Sequence, residues 1–76
     1  MSCQTLDETP VGKKVRLVAV DGGRQLMRRL LSLGLSVGAE IEILHQRGSG
    51  VVVARQGNRV ALGRGIAGKV RAEAID

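Results

Sequence analysis

One histidine, His45, one cysteine, Cys3, and seven carboxylates are all this chain offers for acid–base, nucleophilic or metal chemistry. The carboxylates are Asp7, Glu8, Asp21, Glu40, Glu42, Glu73 and Asp76, spread thinly along the sequence. Nucleophilic catalysis needs a Ser or Cys beside a base that a third group orients, and no such set is paired by motif or spacing. A tight metal site needs several His, Cys or carboxylate ligands converging on one point. His45 with Glu42 supplies too few, and the plainer reading of His45 is a strand-end histidine in solvent. Glu40 and Glu42, two apart, share one face of a strand, the solvent face. Gly22-Gly23 ahead of a helix offers free N–H groups to a phosphate. No Lys-Ser/Thr follows them, and a turn explains the pair. The expectation is therefore a non-enzyme with no catalytic residue, no cofactor, no metal site and no small-molecule substrate.

The elements that position these residues must come from a short chain. Its 76 residues suit one domain filling 1–76, with residues 1–5 a frayed terminus. Apolar residues are 43% and charged residues 25%, as in ordinary globular proteins. No window has the roughly 18 unbroken apolar residues of a membrane span, and Met1 to Pro10 lacks the pattern of a signal peptide. A cytoplasmic location without membrane insertion is expected, and the lone Cys3, with no partner for a disulfide, fits a reducing compartment. The net charge of +5 raises the prior for an anionic partner: nucleic acid, an acidic protein face or anionic lipid. The absence of Phe, Tyr and Trp counts against single-strand binding by base stacking and against capture of proline-rich peptides. Nothing in the sequence sets the oligomeric state.

Lys14 to Val20 is rich in β-branched residues and reads as a strand, broken by Asp21-Gly22-Gly23. Asp21 is a turn former and a helix-cap candidate. From Arg24 to Leu33 the period changes. Leu26, Leu30 and Leu33 fall at i, i+4 and i+7, with Met27 and Leu31 beside them, the pattern of an amphipathic helix of about three turns. Gly34 sits at the left-handed C-cap, and Leu35 is expected to pack back on Leu30. Ala39 to Gln46, Val51 to Ala54, Arg59 to Leu62 and Lys69 to Ala74 read as strands separated by glycine turns. Gly63 to Gly68 is a short link with room for one helical turn. These five strands predict a mainly β fold, a small barrel with one α-helix between its first two strands.

Several of these segments also resemble, in order and spacing, the FeoA family. Leu30-Leu31-Ser32-Leu33-Gly34-Leu35-Ser36-Val37-Gly38 is similar to its R-L-x-x-L-G-(M/L)-x-P-G signature, and the pair Gly22-Gly23 precedes it. Leu6 to Gly12 resembles the opening L-x-x-L-x-x-G, and Val60-Ala61-Leu62-Gly63, Ile66-Ala67 and Val70 resemble the close. The likeness runs from Leu6 to Ala74, with Val37 where the family often has Pro. It implies an SH3-like barrel related to the C-terminal domain of DtxR-type repressors. It also implies an accessory or regulatory role in bacterial ferrous iron uptake beside FeoB, a membrane transporter with a cytoplasmic GTPase-like domain.

A partner surface is expected on the helix and its flanks. No acid lies between Asp21 and Glu40, yet Arg24, Arg28 and Arg29 do. Arg24 and Arg28 are like-charged i, i+4 neighbours, which costs a few tenths of a kcal/mol in an isolated helix. Such a face suits carboxylates, which arginine grips in bidentate fashion. Leu35 and Val37 are the apolar candidates in the following loop. The expected partner is the cytoplasmic part of FeoB, and the alternative is nucleic acid bound by a small basic barrel.

Overall fold

The computed structural model of the chain describes residues 3–75. Its first strand, β1 (Gln4–Thr5), pairs with the C-terminal strand through Gln4↔Ala72 and Thr5↔Arg71. A 3-10 turn over Leu6–Glu8 follows and buries Leu6 completely. Residues 4 and 5 are thus part of the sheet and not frayed, while Met1 and Ser2 lie outside the described residues. Burial of Leu6 holds this start, together with two side-chain ties. The Thr9 hydroxyl donates to the Thr5 carbonyl at 2.9 Å. The Gln46 side-chain amide donates to the carbonyls of Leu6 and Asp7.

The remaining strands are β2 (Lys14–Val20), β3 (Glu40–Arg47), β4 (Gly50–Arg55), β5 (Asn58–Gly63) and β6 (Val70–Ala74). Strand side chains alternate between faces, so β-branched residues two apart reach the same side. Val15, Leu17, Ile41, Ile43, Val51 and Val53 are buried together on the inner face, joined by Leu62, Val70 and Ala72. Lys14, Arg16 and Glu40 point outward, and Arg16 bridges its cross-strand neighbours Glu40 (3.3 Å) and Glu73 (3.5 Å). Each fully buried Leu, Ile or Val contributes about 1.5–3 kcal/mol relative to exposure, so an aliphatic core suffices without aromatics.

The strand order is β1-β6-β2-β3-β4-β5, antiparallel throughout. Register shifts occur between Leu17 and Ala19 on β2 and between Ile43 and His45 on β3. Bulges of this kind bend a strand and increase its twist, curling the sheet around its inner face. The expected five-stranded barrel is corrected in two ways. There are six strands, and among the described residues no pairing joins β5 to β1, so the sheet is open. Beside the open edge, α2 (Arg64–Ala67) supplies the expected helical turn. It packs on β4, β5 and the Leu6–Glu8 turn, with Ala67 fully buried.

Helix α1 (Gly23–Ser32) occupies an excursion between β2 and β3. Its ends are pinned at a neck, where Leu17 accepts from Gly38 N–H (2.7 Å) and donates to the Ala39 carbonyl (2.9 Å). Asp21 is not the helix cap. The N-cap is Gly22, without a side-chain bond, and the Asp21 carboxylate meets Arg71 Nε of β6 at 2.8 Å. At the other end Gly34 takes φ 80°, a conformation glycine adopts without penalty. Leu35 N–H bonds to Leu30 (2.8 Å) and Gly34 N–H to Leu31 (3.0 Å), a Schellman cap.

Candidate partner-binding face

An amphipathic helix normally buries its apolar stripe against a neighbour. Here Leu30 is the buried side chain of α1, and Leu26 is half-buried. Leu33, expected on the inward stripe, is 40% exposed. It is the C-cap, one residue past the helix end at Ser32. Met27 and Leu31 are 47% and 62% exposed, and Val37 in the following loop is 51% exposed. Among Val20, Met27, Leu31 and Val37 lies a depression of about 140 Å³, with Leu35 lining it and Arg28 beside it.

The candidates do not all reach this place. At about 100° per residue, Arg24 and Arg28 follow Leu31 around the helix, beside the Met27–Leu31 ridge. Arg29 falls about 160° from Leu31, on the far flank. Leu35 is 1% exposed: it anchors the cap and lies beneath the depression, so it is unavailable as a surface contact. Val37 is the apolar residue of the loop that faces outward. Among the described residues the ion pairs are Arg16 with Glu40 and Glu73, and Arg71 with Asp21. Arg24, Arg28 and Arg29 take part in none of them, and Asp21, the acid nearest the helix start, is already engaged.

Sequence reasoning missed one residue that shapes this face. Arg55, at the end of β4, donates from its guanidinium to the Gly34 carbonyl and so ties the helix cap to the sheet. The two residues are 21 apart and share no motif, so only the curl of the sheet reveals the contact. His45 and Cys3 are both exposed, and among the described residues no three of His, Cys, Asp and Glu gather as metal ligands would. Chemically, the α1 face can make apolar contacts and charge-assisted hydrogen bonds to carboxylates.

The FeoA domain model matches residues 4–74. This chain belongs to the FeoA family. It is 31% identical over 62 residues to the "Putative Fe(2+) transport protein A" of Methanocaldococcus jannaschii, covering 82% of this chain and 76% of that one. The crystal structure of an iron uptake regulatory protein, FeoA, superposes with a TM-score of 0.90 at 32% identity, covering 97% of this chain and all of the other. A manganese-dependent transcriptional repressor gives 0.86 at 21% identity over 96% of this chain and 42% of its own length, a likeness of fold alone. The mainly β, SH3-like architecture of the FeoA fold is thus present, with the strand count and open edge described above. No helix among the described residues is long and apolar enough to cross a membrane.

Proposed function

We propose that the protein is an accessory factor of ferrous iron uptake that acts in the cytoplasm, without catalysis, by binding the cytoplasmic part of the FeoB transporter. Membership of the FeoA family and the likeness to an archaeal protein named for Fe(2+) transport support the iron assignment. The observation that carries the docking half is the exposed Met27–Leu31–Val37 ridge beside arginines that form no ion pair among the described residues. A helix that keeps apolar side chains in water beside uncompensated charge is arranged for an interface with an apolar centre and an acidic rim. Arg24 and Arg28 meet the carboxylates, while Met27, Leu31 and Val37 fill the centre.

The test is a titration of the purified cytoplasmic domain of FeoB into the labelled protein, followed by amide NMR. Binding should perturb residues 24–38, and the double reversal Arg24→Glu, Arg28→Glu should weaken it at least tenfold with the melting temperature nearly unchanged. Undiminished binding by the double variant sinks the α1 face. Silence with the FeoB domain, combined with binding of a mixed-sequence nucleic acid that falls steeply with salt, sinks the adaptor reading and favours nucleic acid.

A further inference from the structure

Apart from the α1 face, β5 ends the sheet with one edge unpaired among the described residues. The hairpin joining β4 to β5 has a two-residue loop, Gln56 (φ 49°) and Gly57 (φ 85°), closed by the pair Arg55↔Asn58. Two successive positive φ values mark a type I′ turn, whose closing pair is hydrogen-bonded in both directions. Antiparallel ladders alternate from that pair, so Val60 and Leu62 bond back to β4 and the residues between them do not. Arg64 N–H bonds to the Ser49 carbonyl at 3.1 Å, which continues the same phase. Arg59 and Ala61 therefore turn both N–H and C=O toward the free edge, and Gly63 turns its N–H. All three residues are exposed.

Edge strands are normally shielded by bulges, prolines, charged side chains or a covering element. The β4–β5 ladder runs through six pairs without a register shift, unlike the bulged ladders of β2 with β6 and β3 with β4. Ala61 and Gly63 project almost nothing, and Arg59 is the one charge on β5. Arg59 takes part in no ion pair among the described residues, nor does Arg64 beyond the strand end. On the outer face beside Ala61 and Gly63, a depression of about 300 Å³ is lined by His45, Arg47 and Val52. On the inner side, half-buried Val60 adjoins the edge.

We propose that β5 receives an extended acidic segment of a partner protein as an added strand, with acidic and apolar residues alternating. Main-chain bonds to Arg59, Ala61 and Gly63 supply the pairing, as in other strand-addition complexes. Carboxylates on the outer side meet Arg59, and the apolar residues between them cover Val60. A second copy of this chain is disfavoured as occupant, because each copy carries a charge of +5.

The experiment uses two ten-residue probes, one alternating Glu with Val and one alternating Lys with Val, and follows amide hydrogen exchange in the full chain. The Glu probe should slow exchange at Arg59, Ala61 and Gly63 at least tenfold, and the Lys probe should leave it unchanged. Ala61→Pro should abolish the effect, since the lost N–H points away from β4 and costs the fold no ladder bond. Should that variant fail to fold, Arg59→Glu gives an independent reading: the Glu probe should bind at least tenfold more weakly. No protection by the Glu probe, or protection indifferent to these substitutions, overturns the proposal. So does a concentration-dependent dimer in sedimentation that Ala61→Pro disperses, which would make a second copy the occupant.

Discussion

Helix α1 and the β3–β4 hairpin are apolar in similar proportion and use their apolar side chains in opposite ways. On β3 and β4, Ile41, Ile43, Val51 and Val53 all vanish into the core. On α1, Leu30 alone among the helical residues is buried, while Met27 and Leu31 stay in water. The strands are held on both sides by neighbours whose pleats bring every second residue to the same place. The helix is tied down at its neck and its C-cap, by main-chain bonds and one arginine, with little packing along its length. The difference teaches that in this fold stability resides in the sheet, and the helix is presented by it.

That contrast is sharpest in a matched pair of truncations. Ile43→Ala should cost about 2–5 kcal/mol in denaturant unfolding, a large share of the stability of so small a chain, because it opens a cavity in a core that has few other side chains. Leu31→Ala should change stability by less than about 0.5 kcal/mol, as surface substitutions do. Equal costs would show that α1 is seated more deeply than its exposure indicates. Next in size is the tie between the regions. Arg55→Met keeps the apolar stem but removes the donor to the Gly34 carbonyl, at about 1.5–3 kcal/mol for a charged hydrogen bond, and amide exchange should quicken at Leu33–Leu35 before it does in β4. Gly34→Val forces a β-branched residue into left-handed backbone, at about 1–2 kcal/mol, visible as fraying of residues 30–35 by NMR while the sheet resonances stay in place. The smallest effect belongs to Arg16→Ala. Its pairs with Glu40 and Glu73 are largely solvent-exposed, so thermal melting should register at most about 1 kcal/mol, less at high salt.

Most of the elements on both sides of this contrast are legible before any coordinates. The change of period at Arg24, the alternation along β2 to β6 and the glycine at position 34 each follow from local backbone chemistry, and the elements fall within a residue or two of expectation. The Schellman cap with Leu35 turned inward is equally local, since it needs only a left-handed residue after a helix and an apolar one beyond it. The missing pieces are non-local. Gln4–Thr5 is too short to show a pattern and is a strand because β6 lies beside it. Asp21 looks like a cap in sequence, but Arg71, fifty residues on, takes its carboxylate.

Local periodicity and turn chemistry, both written in the sequence, determined which segments are strand or helix, where α1 stops, and that Arg24, Arg28 and Val37 belong to one region. Only the tertiary structure decided which apolar residues of that region face water, and that β5 ends the sheet with its main chain free. Exposure and pairing depend on what arrives from elsewhere in the chain. A pattern can mark a helix as amphipathic, but the surface available to receive it is set by how the sheet bends.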